Sequence, residues 1–209
     1  MSRIFITGAT GCIGQYVVEA LLRETEHELA LAVRNPERVP LPQREHARVQ
    51  LVVGDLRDTA RWSQAARDAD GAVLIATSWT AGNESDAVNV DATAALLSRF
   101  DPARCRRVIY FSTASILDAD GRMLAEAETL GTPYIRSKLR MRRVLDARGQ
   151  RAPLAILYPT LVLGGDATHA ASHVSKILAD AVRHRRWLRW FAGDASFHVI
   201  HAADIAQIV

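Results

Sequence analysis

The residues Arg3-Ile4-Phe5-Ile6-Thr7-Gly8-Ala9-Thr10-Gly11-Cys12-Ile13-Gly14 decide the fold: a short β-forming apolar run enters three glycines spaced three apart. Helical spacing follows over Ile13–Arg23. Glycine at positions 8, 11 and 14 lets the backbone turn tightly, approach a pyrophosphate and pack a helix close to a sheet. The unpaired N–H groups and partial positive charge of that helix start suit phosphate oxygens. The spacing is G-x-x-G-x-x-G rather than G-x-G-x-x-G. A glycine-rich turn without a ligand is the plain alternative, but the motif has the strand before it and the helix after it that its chemistry demands. Cys12 shares the helix start, where a thiolate is stabilised; a small side chain in a tight loop is its simpler role.

Outward from this loop, apolar runs recur at Leu29–Val33, Val49–Val53, Ala72–Ala76, Val108–Ser112 and Leu154–Tyr158, alternating with helical spacing at Thr59–Ala69, Glu84–Phe100 and Pro133–Ala147. Continuous apolar strands separated by helices imply parallel pairing with right-handed crossovers. The expected class is α/β, a Rossmann-like doubly wound parallel sheet flanked by helices. Asn35–Ala47 carries Pro36, Pro40 and Pro42 and reads as loop with a short helix. After Pro159 the rhythm changes: a Gly164-Gly165 turn, a helix over Ala171–Arg183, a basic aromatic stretch, a strand over Phe197–Ile200, and a helix beginning near Ala203. At 209 residues, one domain over 1–209 is expected, with residues 164–200 contributing a small substrate-side cap.

Composition narrows the class. Hydrophobic residues are 49% and charged residues 23% of the chain, proportions that exclude a disordered protein. No apolar run reaches the roughly 18 residues of a membrane span, and Met1-Ser2-Arg3-Ile4-Phe5 reads as no signal peptide. Cys12 and Cys105 suggest no disulfide framework, so a reducing cytoplasm is the expected compartment. A net charge of +3 does not by itself argue for nucleic acid.

The end of the second strand bears on the cofactor. An acidic residue about 20 positions past the last glycine binds the ribose 2′-hydroxyl of NAD. That place holds Arg34, with Arg38 close behind. A guanidinium there suits a 2′-phosphate, so NADP(H) is favoured over NAD(H), against the alternative of a solvated arginine. Farther on, Thr132-Pro133-Tyr134 reads as an N-cap with proline at the first helical position. Tyr134 and Lys138, four apart, share a helix face. An ammonium beside a phenol lowers its pKa, so the pair is suited to move a proton at a substrate oxygen while hydride moves at carbon. The fifth strand ends in Ser112-Thr113-Ala114-Ser115, whose three hydroxyls compete for the task of holding a substrate carbonyl.

Together these residues resemble the short-chain dehydrogenase/reductase superfamily in its extended branch, the NAD-dependent epimerase/dehydratase family. The resemblance is carried by Thr7–Gly14, Gly54-Asp55-Leu56, Ala76-Thr77, Asn89, Ser112–Ser115, Tyr134 with Lys138, Tyr158-Pro159-Thr160 and His201–Ala206. It implies a site in which Gly8, Thr10, Gly11, Cys12, Ile13, Gly14 and Arg34 hold the cofactor. Asp55 and Leu56 would flank its adenine and Ala76 and Thr77 its ribose, with Tyr158 and Thr160 also contributing. Thr113 takes the catalytic hydroxyl position, Tyr134 is the acid–base, and Lys138 also grips the nicotinamide ribose. Asn89 orders the helix packing beside the site, and dimers joined through two such tyrosine helices are common. Leu117-Asp118 stand where the family often has Tyr-Gly, and Phe197 stands where nucleotide-sugar members tend to carry arginine; both weaken a nucleotide-sugar substrate. The C-terminal lobe of extended members is absent, which reads as a fragment or as a short relative with a small cap.

The expected function is therefore an NADP(H)-dependent oxidoreductase of the epimerase/dehydratase type, acting on a secondary alcohol or ketone of a small molecule. A non-catalytic dinucleotide-binding redox sensor with a protein partner is the alternative; the retained tyrosine and lysine count against it. Arg183–Phe191 mixes arginines with Trp187 and Trp190 and is conceivable as a nucleic-acid or anionic-membrane surface. Arginines facing water around a pocket-lining tryptophan are preferred, so no nucleic acid and no membrane partner is expected. His169 and His173 lack a third ligand nearby, and no metal site is expected.

Overall fold

A computed structural model describes residues 1–80, 83–147, 153–183 and 196–209. The apolar runs form six strands: β1 (Arg3–Thr7), β2 (Glu28–Val33), β3 (Val49–Val53), β4 (Gly71–Leu74), β5 (Arg107–Phe111) and β6 (Leu154–Leu157). They pair in parallel in the order β3-β2-β1-β4-β5-β6. Ile6 registers with Leu31 of β2 and with Val73 of β4. The order reverses between β1 and β4, so a crevice opens at the carboxyl ends of those two strands.

Alternation along the strands feeds two cores. Phe5 and Tyr110 enter one face with Trp62, Leu96, Phe100, Met141 and Leu145. Ile6, Ile109 and Phe111 enter the other with Val17, Val18, Leu31 and Ile205. Helices α1 (Cys12–Glu24) and α9 (Ala202–Ile208) cover the second face. The first face is covered by α3 (Thr59–Arg67), a composite helix over Asn83–Leu97, and α7 (Pro133–Ala147). The proline-rich crossover holds a 3₁₀ turn, Pro36–Arg38, and a single helical turn α2, Leu41–Arg44, matching the loop expected there.

The composite helix departs from the expectation of one regular helix over Glu84–Phe100. Between α4 (Asn83–Asp86) and α5 (Thr93–Leu97) the backbone winds as a π-helix, Ala87–Ala92. Thr93 Oγ1 donates to Val88 O, five residues back, at 2.9 Å. Such π turns widen a helix locally and are found mostly at functional sites. This one carries the buried Asn89 toward the end of β4. After β5 come a 3₁₀ turn at Ala114–Ile116 and the short α6 (Glu126–Thr129).

Beyond β6 a second, two-stranded sheet pairs β7 (Leu161–Leu163) with β8 (Val199–His201) in parallel. Between them lies α8 (His173–Arg183), close to the helix expected over Ala171–Arg183. The basic aromatic stretch Arg185–Phe191 lies outside the described residues. No helix among the described residues is long and apolar enough to cross a membrane.

Candidate active site

The glycine loop sits at the reversal point of the sheet. Gly8 has φ +78°, a left-handed conformation, and a Cβ there would lie 2.7 Å from Ala76 N. Only glycine allows β1 to leave the sheet so close to the end of β4. A Cβ on Gly14 would stand 2.1 Å from Gly8 O, so that glycine lets α1 rest directly on the loop. Thr7 Oγ1 accepts from Ala76 N at 3.2 Å, tying the two strand ends together. No described side chain caps α1, and its first turn holds no acidic residue. Its opening amides and partial positive charge are therefore not engaged by an acidic residue of the helix's own first turn, which fits a diphosphate. Cys12 packs beneath the strap that follows β7: a Cβ on Gly164 would meet Cys12 Sγ at 2.8 Å. Burial pushes its thiol above the ordinary value, with Asp166 adding to the shift. Burial and Asp166 thus work against the thiolate that the helix start alone would favour.

At the far end of the crevice, Trp62 Nε1 donates to Asp55 O at 3.0 Å and anchors the Gly54-Asp55-Leu56 turn on the core. Arg57 grips the Asp55 carboxylate with two hydrogen bonds, 2.8 and 2.9 Å, and holds its pKa down to about 2. The exposed Arg34 stands 3.9 Å from the same carboxylate. Arg57 gave no signal in the sequence beyond its charge; only the turn geometry brings it beside Arg34.

The strand-end hydroxyls separate into three environments. Ser112 Oγ is buried with no hydrogen-bond partner among the described residues. Ser115 donates its N–H to Thr113 Oγ1 at 3.3 Å, closing the 3₁₀ turn. Thr113 is the hydroxyl near enough to the Tyr134 phenol to draw that pKa down, while Thr113 Oγ1 donates to Ser115 Oγ at 3.2 Å. Thr132 caps α7 as expected, its Oγ1 accepting from Ile135 N at 3.3 Å. One turn on from Tyr134, Lys138 is buried; its Nζ donates to Phe111 O at 2.7 Å and lies 3.4 Å from Tyr110 Oη. It stands 5.9 Å from the centre of the Tyr134 ring.

Burial, rather than the ammonium, governs the titration of this pair. It pushes Tyr134 up to about 12, opposed only by the Thr113 hydroxyl, and brings Lys138 down to about 7. Burial thus outweighs the lowering expected from Lys138, because both groups lose water and the lysine loses part of its charge at neutral pH. Tyr110, buried behind them, is pushed up well above the ordinary range by desolvation.

Asn89 is the hub that holds the neighbouring loop. Its Oδ1 accepts from Ser78 N at 2.7 Å and Thr77 Oγ1 at 3.0 Å. Its Nδ2 donates to Ser78 O at 2.9 Å and Ser137 Oγ at 2.8 Å. The loop after β4 is thereby bonded to α7 between Tyr134 and Lys138. Trp79, next in that loop, stacks on the Tyr134 ring at 3.8 Å. The sequence reading passed it over, although an aromatic directly after a strand's carboxyl end is a usable signal. Tyr158 goes elsewhere: its hydroxyl accepts from Arg142 and its ring packs against the Ile116, Ala127 and Leu139 cluster, while Thr160 is exposed. His169 lies against Tyr16, Glu19 and Asp166, and among the described residues no group of three His, Cys, Asp or Glu is arranged to hold a metal.

The family model described as NAD(P)H-binding matches residues 8–179. A 3-beta-hydroxysteroid dehydrogenase of Mycolicibacterium neoaurum is 29% identical over 146 residues, 64% of this chain. The match spans 37% of that relative's length. The Bordetella bronchiseptica enzyme WbmH, solved with NAD+, superposes with a TM-score of 0.77 at 18% identity, covering 100% of this chain and 70% of its own. A UDP-glucose-4-epimerase from Stenotrophomonas maltophila, solved with NAD and formylated UDP-arabinopyranose, gives 0.76 at 19% identity, covering 99% and 72%. The extended short-chain dehydrogenase/reductase resemblance, the Rossmann-like sheet and the glycine-loop crevice are thus in agreement, and the chain belongs to the NAD(P)H-binding family.

Proposed function

We propose that the protein is an NADP(H)-dependent oxidoreductase that interconverts a secondary alcohol and a ketone on a small-molecule substrate. The observation that carries this reading is the buried Lys138, bonded to Phe111 O at the end of β5 and 5.9 Å from the centre of the Tyr134 ring one turn before it on α7. The name of the dehydrogenase relative supports it, and the NAD in both solved neighbours supports a nicotinamide dinucleotide in the crevice.

In this reading the α1 amides and the loop from Gly8 through Thr10, Gly11, Cys12 and Ile13 to Gly14 hold the diphosphate. Asp55 and Leu56 border the adenine, Arg34 faces the 2′-phosphate, and Ala76 and Thr77 line the ribose. Lys138 bonds the second ribose. A bound nicotinamide supplies or takes the hydride at the reacting carbon. In reduction, the Tyr134 hydroxyl gives its proton to the carbonyl oxygen as that carbon gains the hydride, and Thr113 donates to the same oxygen. The phenolate left behind is stabilised by the protonated form of Lys138. Oxidation runs the same path backwards. Tyr158 contributes through its backbone, since Arg142 engages its hydroxyl, and Thr160 closes that edge. The described residues 164–183 and 196–200 cover the substrate side, and the compartment is the cytoplasm.

Steady-state assays with NADPH and NADH against a panel of ketones and secondary alcohols test the reading. Turnover of at least one carbonyl, faster with NADPH at low cofactor, is expected. A panel without turnover, in protein shown to bind the cofactor, contradicts it.

A further inference from the structure

Trp79 takes no part in the scheme above, yet its indole lies on the reacting phenol. Its side chain is 57% exposed. Single exposed aromatics are common and need no explanation. This one is stacked on Tyr134 with ring centres 3.8 Å apart and planes 22° from parallel. The His173 ring, at the start of α8, is also nearly parallel to the indole, at 5.3 Å and 18°. Three rings from three segments, the loop after β4, α7 and α8, thus form one stack at the mouth of the site. Asn89 fixes the backbone next to Trp79 through Ser78.

This arrangement restricts how a substrate reaches Tyr134. One face of the phenol is covered by the indole, Lys138 lies 5.9 Å from the ring centre, and Thr113 occupies part of the hydroxyl's surroundings. A carbonyl oxygen bonded to the Tyr134 hydroxyl therefore brings the adjacent carbon skeleton alongside the indole. A flat unsaturated ring joins such a stack with its face, whereas a puckered saturated ring meets it only at a few hydrogens.

We propose that Trp79 sorts the substrates of this site, favouring a ketone or secondary alcohol attached to a flat unsaturated ring, and that it does so by stacking on that ring beside Tyr134. This rests on the reading of Tyr134 as the proton-transferring group.

Acetophenone and acetylcyclohexane share one skeleton and differ in having a flat or a puckered ring, so together they isolate the stacking. The full chain, its Trp79→Ala variant and its Trp79→Phe variant are compared with NADPH present. The ratio of kcat/KM for acetophenone over acetylcyclohexane falls about five- to tenfold in Trp79→Ala, the size of a lost aromatic pair, and the fall lies in KM. Intrinsic ketone reactivity cancels in this comparison. Trp79→Phe restores most of the ratio. Calorimetry with the products 1-phenylethanol and 1-cyclohexylethanol gives the same change in relative affinity without turnover. An unchanged ratio, or equal losses on both ketones, overturns the sorting role while leaving the oxidoreductase reading intact. Wild-type protein that binds neither ketone nor alcohol overturns the sorting role, and protein that binds NADPH but turns over no carbonyl of the wider panel overturns both.

Discussion

Lys138 Nζ and the Phe111 carbonyl are joined by a 2.7 Å hydrogen bond that runs from the middle of α7 to the last residue of β5. The bond fixes the buried face of α7 against the sheet, and Tyr134, one turn away, is oriented by it toward Thr113. Burying an amine in this position has a cost that depends on pH. An ordinary lysine keeps its proton to about 10.5, whereas Lys138 releases it near about 7. Between about pH 7 and 10.5 the unfolded chain binds a proton that the folded chain lacks, so stability rises with pH across that window and levels off below about 7, where both states are protonated.

Denaturation midpoints measured from pH 6.5 to 8.5 on the cofactor-free protein are expected to rise by at most about 1.4 kcal/mol per pH unit from this group. Lys138→Met removes that part of the rise. Parallel curves for the two proteins contradict the assignment.

Replacing Tyr134 by Phe keeps the ring that Trp79 stacks on and deletes the proton. Turnover is expected to fall by roughly 10²- to 10⁴-fold, the usual contribution of a positioned acid–base group. Cofactor affinity is expected to stay within about twofold, because no hydrogen bond to the dinucleotide is assigned to that hydroxyl; titration alongside the assay checks both halves.

Arg34 and Arg57 divide the work around Asp55. Arg57 engages the carboxylate with two bonds, leaving Arg34 at 3.9 Å and exposed. Arg34→Ala is expected to weaken NADPH about tenfold, as for loss of one charge-assisted hydrogen bond, and NADH less than twofold. Arg57→Ala lowers the NADPH preference as well, since the freed carboxylate then draws Arg34 in and repels a phosphate. Equal effects on the two cofactors would place neither arginine at the 2′ position.

Gly14→Ala puts a methyl where only 2.1 Å separates it from Gly8 O. Overpacking of this kind typically costs about 1–3 kcal/mol. A shift of that size in the denaturation midpoint, together with loss of dinucleotide binding, is expected; a variant that binds as well as the parent contradicts the cradle.

The sheet was legible because doubly buried strands are written as unbroken apolar runs, and the glycine loop because Gly8 and Gly14 answer steric demands that no other residue meets. The spacing of Tyr134 and Lys138 and the Thr132 cap were legible for the same local reasons. What escaped depends on the third dimension. Nothing in Ala87–Ala92 announces a π-helix, and the bonds Asn89 makes from it to Ser78 and Ser137 span distant segments. The charge logic of a phenol beside an ammonium was sound for exposed groups. It failed at Tyr134 because burial, which no local pattern reports, governs both partners. Arg57 and Trp79 were missed because their importance lies in what they touch, a carboxylate at a strand end and a ring on another helix.

The central claim, that the crevice over Gly8–Gly14 holds a nicotinamide dinucleotide, is tested most directly by calorimetric titration of the full chain with NADPH and with NADH. Saturable one-to-one binding in the micromolar range, tighter for NADPH, is the predicted result. Failure of either nucleotide to bind at millimolar concentration would contradict it.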